Sequence, residues 1–343
     1  DNIVPEKSDG AAVKMLKNVF GLIALLPILF WQVTLAQNSV DALNDLPNPF
    51  DRTYPWAQMP EGLAWAQTIG VEQGPDGNIY VLHRCFEGLC VDREEPPILV
   101  FTTSGEFVRS WGEGMFIRPH GFHIDPQGNV WTTDDRAHVV YKFNANGALL
   151  MTLGKAGVRG EGPDIFDQPT DILVAPDGNI FVTNGHGMGA NRVMKLTSNG
   201  AFIKAWGSTG SGEGQFDIPH ALAMDSQGRL FIGDRNNGRV QIFDQDGAFI
   251  DQWSQFGRPS GLAISSDDML YVADNESFGP LNPGVEKGIR VGSAKDGTLH
   301  YFIEDLEATS LEAAGAEGVG VDAEGNVYGA VVRRMMLERH ERH

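Results

Sequence analysis

One pattern of apolar and polar positions recurs six times in the chain after residue 48. Each copy has an alternating run, a short turn and a second run rich in Val, Ile, Phe and Tyr, as in "PHGFHIDPQGNVWTTDD". Alternating runs on both sides of a turn built from Gly, Asp and Pro predict a tight β-hairpin. The copies align without a gap at residues 68–84, 119–135, 169–185, 219–235, 259–275 and 316–332.

Two more apolar runs follow these hairpins, such as "RVQIFD" and "AFIKAW", and they predict a third and a fourth strand. A repeat of four short strands over roughly 40 to 50 residues is typical of a propeller blade. We therefore predict an all-β fold, a six-bladed β-propeller. The last copy is short, so residues 61–67 are expected to add its outer strand. The tryptophans that end fourth strands are expected to pack between blades; they are Trp111, Trp206 and Trp253.

Near the N-terminus, an uninterrupted apolar run extends from Val19 to Trp31 and is followed by the small-residue stretch "TLA". The run is too short to span a bilayer comfortably, and we interpret residues 15–36 as a signal peptide. This interpretation predicts a secreted or periplasmic protein with no stable membrane insertion after the signal is removed. The predicted organisation is upstream residues and signal peptide at 1–36, an N-terminal linker at 37–60 and the propeller at 61–343.

The formal net charge of −19 argues against nucleic acid as a partner, because nucleic-acid interfaces rely on clustered Lys and Arg. The chain has two cysteines, Cys85 and Cys90, in "HRCFEGLC". In an oxidising compartment they are expected to close a small loop as a disulfide, and such a pair alone is a poor zinc signature. We expect the protein to be a monomer.

Equivalent positions of a propeller lie at equal height around its axis, so candidate ligands can be read one blade at a time. Eight residues before the turn position, the blades carry Ile69, His120, Thr170, His220, Ser260 and Glu317. His120, His220 and Glu317 fall in alternate blades and therefore form a triangle. Two imidazoles and one carboxylate with an open fourth position match a catalytic zinc site, and the set also permits Fe, Mn, Ni or Cu. The alternative is that each histidine only hydrogen-bonds across the channel.

A second set of positions lies seven residues after the turn and comprises Arg84, Asp135, Gly185, Arg235, Asn275 and Val332. Arg84 and Arg235 belong to opposite blades, where two planar guanidinium groups could hold a substrate carboxylate. Pairing with acidic neighbours such as Asp134 and Asp234 is the structural alternative. Those aspartates recur with Asn184 and Asp274, and we predict that this set holds turns within the blades.

One histidine outside the repeat positions is a candidate for proton transfer. His186 lies in the glycine-rich stretch "NGHGMGANR", next to the end of the third blade's second strand. An imidazole there could act as a general base towards a substrate in the channel. The alternative is an exposed loop histidine without a role in chemistry.

The segments "RPHGFHIDPQGNVWTTD", "QPTDILVAPDGNIFVTNG", "GQFDIPHALAMDSQGRLFIGDRNNGRVQIF" and "NIYVLHR" resemble NHL-repeat propellers, and specifically the peptidyl-α-hydroxyglycine α-amidating lyases. The resemblance implies a zinc ion, held by three histidines, that activates the hydroxyl of a carbinolamide. Cleavage of the C–N bond then releases an amide and glyoxylate. By resemblance, His120 and His220 match two zinc ligands, and Arg84 and Arg235 match arginines of the active site.

The sequence departs from that family at two places of the site. The third zinc position, a His-Asp pair in the lyases, is Glu317-Gly318, so an acidic residue associated with a structural calcium is missing and calcium is not expected. His186 stands nearest to the family's catalytic tyrosine. We expect a secreted metal-dependent lyase acting on a small carboxylated or peptide-derived substrate. The alternatives are a metallo-hydrolase such as a lactonase, and a non-enzymatic NHL module that binds peptide or carbohydrate.

Overall fold

The computed structural model describes residues 43–187, 190–310 and 313–343, apart from the side chain of Glu87. The predicted signal peptide at residues 15–36 lies outside the described residues. The described strands are β1 (Phe50–Thr53), β2 (Thr68–Gln73), β3 (Ile79–His83), β4 (Ile98–Phe101), β5 (Phe107–Trp111), β6 (Pro119–Ile124), β7 (Val130–Asp134), β8 (Val139–Phe143), β9 (Leu149–Gly154), β10 (Pro169–Val174), β11 (Ile180–Asn184), β12 (Arg192–Leu196), β13 (Phe202–Trp206), β14 (Pro219–Met224), β15 (Leu230–Asp234), β16 (Arg239–Phe243), β17 (Phe249–Trp253), β18 (Gly261–Ile264), β19 (Met269–Asp274), β20 (Gly288–Ser293), β21 (Leu299–Glu304), β22 (Ala316–Val321), β23 (Val327–Val331) and β24 (Met336–Arg342).

These strands form six four-stranded antiparallel sheets, which are the blades of a propeller. The first five blades take their strands in chain order, from β2–β5 to β18–β21, and the sixth combines β22, β23 and β24 with β1. The innermost strands β2, β6, β10, β14, β18 and β22 contact one another in this order, and β22 contacts β2. The ring therefore closes, and the predicted all-β six-bladed β-propeller is confirmed.

The N-terminal strand β1 closes the ring by pairing antiparallel with the C-terminal strand β24, with Phe50 opposite Arg342. The expectation that residues 61–67 add this strand is wrong, and β1 falls within the stretch expected to be a linker. Phe50 explains the difference, because its buried ring packs edge-on against Tyr301 of the fifth blade. Residues 61–67 instead form a loop in which Trp65 packs against the buried apolar cluster of the first and sixth blades.

The tryptophans at the ends of fourth strands pack between blades, as the sequence predicts. Each indole lies against the turn glycine between the third and fourth strands of the next blade. These glycines have positive φ angles of 74–86°, and an added Cβ would approach the indole to within 2.6–2.8 Å. The contacting pairs are Trp111 with Gly147, Trp206 with Gly247 and Trp253 with Gly297.

The acidic or amide residue that ends the second strand holds backbone groups of nearby loops, and at Asp134 these include the turn within the blade, as the sequence predicts. Asp134 accepts hydrogen bonds from the backbone N–H groups of Ile117 and Ala137. The equivalent residues of the next three blades also accept hydrogen bonds from backbone N–H groups. Asn184 accepts from Asp167, Asp234 from Asp217, and Asp274 from Arg258. These bonds fix the loops that lead into the innermost strands.

The loop between β3 and β4 contains the predicted disulfide, which joins Cys85 and Cys90. Its residues Phe86–Gly88 form a short 3-10 turn.

In the ranges that the structure describes, no helix has the length and apolar character needed to cross a bilayer.

Replacing the anchor of the closing strand should destabilise the ring. We expect Phe50→Ala to lower the free energy of unfolding by about 3 kcal/mol, because a buried aromatic ring is removed from the junction. Phe202→Ala, on the exposed face of β13, is the control and should cost less than about 1 kcal/mol. Denaturant unfolding measures both, and equally small effects would show that β1 does not stabilise ring closure through this contact.

Candidate metal centre

The axial positions predicted from the repeat coincide with β-bulges at the start of the innermost strands. Register shifts lie between Pro119 and Phe122 in β6, between Pro219 and Ala221 in β14, and between Ala316 and Gly318 in β22. A bulge leaves residues out of the strand pairing and re-aims their side chains. The residues at these bulges include His120, His220 and Glu317, which are all buried.

The structure brings His120, His220 and Glu317 together on the axis. The two imidazole centroids are 4.8 Å apart. Glu317 Oε1 lies 3.6 Å from Nε2 of His120 and 3.9 Å from Nε2 of His220. Three side chains from alternate blades therefore meet at one point, about 100 residues apart along the chain.

Hydrogen bonds to the next blade fix the tautomer of both axial histidines. His120 Nδ1 lies 2.7 Å from the carbonyl oxygen of Thr170, and His220 Nδ1 lies 2.7 Å from that of Ser260. A carbonyl can only accept, so Nδ1 carries the hydrogen and Nε2 carries the lone pair. Burial lowers the pKa of both imidazoles well below the usual value, which keeps them neutral. Neutral imidazoles with an unprotonated Nε2 are in the form that binds metals.

A third imidazole, His186, lies beside the axial pair. One donor atom from each of His120, His186 and His220 can be chosen so that all three lie within 4.8 Å of one another. The ring centroid of His186 is 4.4 Å from that of His120. Its side chain is only 19% exposed, so the alternative of an exposed loop histidine is wrong.

Asp135 and Arg118 surround the outer nitrogen of His186. Asp135 Oδ2 lies 2.8 Å from His186 Nδ1, and Arg118 pairs with the same carboxylate. Burial alone would raise the pKa of Asp135, but hydrogen bonds from His186 and Arg118 outweigh it and lower the pKa to about 2. Arg118 Nη2 also lies 2.6 Å from His186 Nδ1. A guanidinium can only donate, so Nδ1 accepts from Arg118 when it is unprotonated and donates to Asp135 when it carries the hydrogen.

Sequence reasoning missed the contribution of Asp135 and Arg118 to this site. Asp135 stands at the same repeat position as Arg84 and Arg235, so the repeat also predicts that it lies beside the channel. Its partner could not be read from the repeat, because His186 lies in a loop and Arg118 precedes the bulge of β6.

The two arginines predicted to face the channel contact the axial triangle directly. Arg84 Nη2 lies 3.0 Å from Glu317 Oε1, and Arg235 Nη1 lies 3.0 Å from Nε2 of His220. Burial would raise the pKa of Glu317, but the charges of Arg84 and Arg235 lower it. The partner of Arg84 is therefore Glu317, and Arg235 also lies 3.6 Å from Glu276.

A cavity of about 700 Å³ opens onto this cluster and is rich in positive charge. Its walls also include the carboxylates of Glu276 and Glu317 and the imidazole of His186. The arginines that line it are Arg84, Arg118, Arg136, Arg235 and Arg333. In a chain with a net charge of −19, this concentration of guanidinium groups marks a site suited to an anion.

Comparison with known proteins agrees with this architecture. The NHL repeat family matches residues 216–243. Peptidyl-alpha-hydroxyglycine alpha-amidating lyase 1 of Drosophila melanogaster is 36% identical over 270 residues, which cover 72% of this chain and 49% of that protein. A probable peptidyl-alpha-hydroxyglycine alpha-amidating lyase of Caenorhabditis elegans is 34% identical over 236 residues, covering 65% of each chain.

Peptidyl-glycine alpha-amidating monooxygenase A of Xenopus laevis is 35% identical over 267 residues, which cover 70% of this chain and 28% of that enzyme. The chain thus spans less than two thirds of the length of each of these relatives. Among solved structures, a gluconolactonase from Xanthomonas campestris has a TM-score of 0.59 at 15% identity, covering 81% of this chain and 86% of that one. This similarity shows a shared fold.

The protein is therefore a six-bladed β-propeller that contains an NHL repeat at residues 216–243. Its sequence is similar to the peptidyl-α-hydroxyglycine α-amidating lyases.

The buried pair of Arg84 and Glu317 should behave as a coupled unit in stability measurements. Arg84→Gln leaves the Glu317 carboxylate without its nearest cation, and we expect it to cost on the order of 2 kcal/mol of unfolding free energy. The double variant Arg84→Gln/Glu317→Gln should recover about 1 kcal/mol or more of that loss. Denaturant unfolding in the presence of a chelator measures the free energy of unfolding of each variant. If the losses caused by the two single substitutions simply add in the double variant, the two side chains are not coupled.

Proposed function

We propose that the protein is a secreted, metal-dependent lyase that cleaves the C–N bond of a carbinolamide and releases a glyoxylate-like product. One observation carries the proposal. The Nε2 atom of His120 is buried without a hydrogen-bond partner and faces His220 and Glu317, beside an arginine-lined cavity. Homology to the amidating lyases supports the choice of reaction.

The donor set fits a divalent metal ion. A buried polar atom without a partner is costly, and a metal at Nε2 of His120 would remove that cost. His120, His220 and Glu317 would hold the ion, and the carbonyls of Thr170 and Ser260 orient the two imidazoles. Zinc is the metal that the family resemblance implies, and imidazole with carboxylate also accommodates other divalent transition metals.

The proposed reaction moves one proton and consumes no water. The hydroxyl of an N-acyl-α-hydroxyglycine loses its proton, the C–O bond becomes a carbonyl, the C–N bond breaks, and the amide nitrogen takes up a proton. A bound metal would supply Lewis-acid activation of the hydroxyl. Among the described residues, Glu317 and His186 lie at the same place and have side chains that can accept a proton.

The arginines would hold the carboxylate that becomes part of glyoxylate. Arg235 Nη1 donates to the lone pair of His220 Nε2, which is the atom that a metal would use. With a metal held at that atom, this hydrogen bond would be lost and the guanidinium would be free for a substrate anion. Arg235 is almost fully buried and its Nε has no partner, so a carboxylate would meet an unsatisfied donor.

A secreted location is part of the proposal. The disulfide between Cys85 and Cys90 is stable in an oxidising compartment, and the apolar run before residue 37 has the character of a signal peptide.

The metal assignment predicts about one metal ion per chain, the occupancy of a single site. We expect the double variant His120→Ala/His220→Ala to lose the metal, because two of the proposed ligands are removed. His300→Ala, on the outer strand β21, is the matched control and should retain it. Elemental analysis after dialysis against zinc measures the content, and equal metal in all three proteins would refute the site.

The reaction assignment predicts that α-hydroxyhippurate is converted to benzamide and glyoxylate in equal amounts. A coupled glyoxylate assay together with chromatography of benzamide measures both products. Turnover of lactones without any glyoxylate from this substrate would identify a hydrolase instead.

The role of Arg235 predicts a loss of substrate binding that depends on the carboxylate. We expect Arg235→Met to raise KM for α-hydroxyhippurate by about 10- to 100-fold, which corresponds to one charge-assisted hydrogen-bonding group. The same substitution should affect the primary amide of that substrate much less. An equal loss for both compounds, measured by steady-state kinetics, would contradict carboxylate binding by Arg235.

A further inference from the structure

We propose that His186 is a fourth protein donor to the metal and that Asp135 positions it. The site would then present three imidazoles and one carboxylate, a set suited to an ion that takes more than four ligands. This inference rests on the proposed metal site, names a ligand that the repeat does not predict, and restricts the metals that the site would use.

The distances place His186 within reach of one ion shared with the axial pair. Two donors that each lie about 2.1 Å from an ion can be at most about 4.2 Å apart. One ring nitrogen from each of His120, His186 and His220 can be chosen so that all three lie within 4.8 Å of one another. This is about 0.6 Å beyond the limit, so a small movement of the side chains would bring them into range. The 3.6 Å and 3.9 Å separations of Glu317 Oε1 from the axial Nε2 atoms already satisfy the limit.

The local backbone directs His186 towards the axis. After β11, the N–H groups of Gly185 and His186 both donate to the carbonyl of Gln168. Gly185 and Gly187 have φ angles of 131° and 140°, and a Cβ at either would come within 2.4 Å of a neighbouring side chain. This stretch is therefore closely packed, and its geometry requires glycine on both sides of the histidine.

Asp135 gives His186 the protonation that a metal ligand needs. In the tautomer that binds a metal through Nε2, Nδ1 carries the hydrogen and donates to the Asp135 carboxylate, which lies 2.8 Å away and is itself paired with Arg118. Nε2 of His186 is then left with its lone pair. In the other tautomer Nδ1 accepts from Arg118 Nη2. A carboxylate behind a histidine, as in the first tautomer, is the usual support of a metal-bound imidazole. His120 and His220 have the same arrangement with backbone carbonyls.

The number of donors restricts the metal. Four protein ligands would fill a tetrahedral zinc ion and leave no position for a substrate, which is the design of structural zinc sites. The same four donors leave two positions open around a six-coordinate ion. Mixed imidazole and carboxylate donors suit Fe(II), Mn(II), Co(II) or Ni(II). We infer that one of these ions, rather than tetrahedral zinc, supports turnover.

The assignment changes the division of roles within the site. An imidazole whose Nδ1 donates to Asp135 and whose Nε2 binds metal has no nitrogen left to accept a proton. Glu317 contacts Arg84 and the axial histidines through Oε1, so a carboxylate bound by that atom keeps Oε2 available. Glu317 would therefore take the proton for which His186 is the candidate in the sequence.

Titration of the metal-free protein with Co(II) tests the inference without an activity measurement. The wild type should bind one Co(II) with the weak visible absorption of an ion with more than four ligands. His186→Ala should bind at least about 100-fold more weakly, and Asp135→Asn about 10- to 100-fold more weakly. Both variants should also change the absorption spectrum, which a general loss of stability would not do. His300→Ala serves as the control, and thermal unfolding without metal verifies that each variant is folded.

The outcomes separate this inference from the proposed function. If His186→Ala matches the wild type in affinity and spectrum while His120→Ala/His220→Ala loses the metal, the axial site stands and the role of His186 is refuted. An intense four-coordinate Co(II) spectrum in the wild type would refute the coordination number. Unchanged binding in His120→Ala/His220→Ala would refute the proposed site as a whole.

Discussion

The hydrogen bond from an axial histidine to the next blade is the interaction on which the site depends. His120 and His220 each donate Nδ1–H to a backbone carbonyl of the following blade, over a distance of 2.7 Å. This bond requires neighbouring blades to pack together, because the acceptor belongs to a different sheet. It also fixes the tautomer, so the Nε2 atoms of both imidazoles carry lone pairs. The fold therefore prepares the two nitrogens before any ligand binds.

Charge is distributed unevenly over the protein, in a way that suits the binding of an anion. The chain carries a formal charge of −19, yet five arginines line the cavity above the axial cluster. Glu317 is the internal counterion of Arg84, and its pKa is lowered by Arg84 and Arg235 despite burial. The site thus contains the carboxylate of Glu317, and Arg235 offers an Nε–H donor without a partner to the carboxylate of a ligand.

The repeat made much of this arrangement predictable. Equal offsets from the turn position placed His120, His220 and Glu317 at one height, and the six-bladed ring brought them together. Two features were not accessible in this way. The sequence favours residues 61–67 for the closing strand, but the buried ring of Phe50 selects β1. The approach of His186 depends on loop packing and on Asp135, and loops do not follow the period of the blades.

The most direct test of the account is to locate a bound metal by anomalous X-ray diffraction from crystals of the metal-loaded protein. The account predicts one strong anomalous peak about 2.1 Å from Nε2 of both His120 and His220. A metal peak elsewhere in the molecule, with these two atoms still bonded only to protein groups, would contradict it.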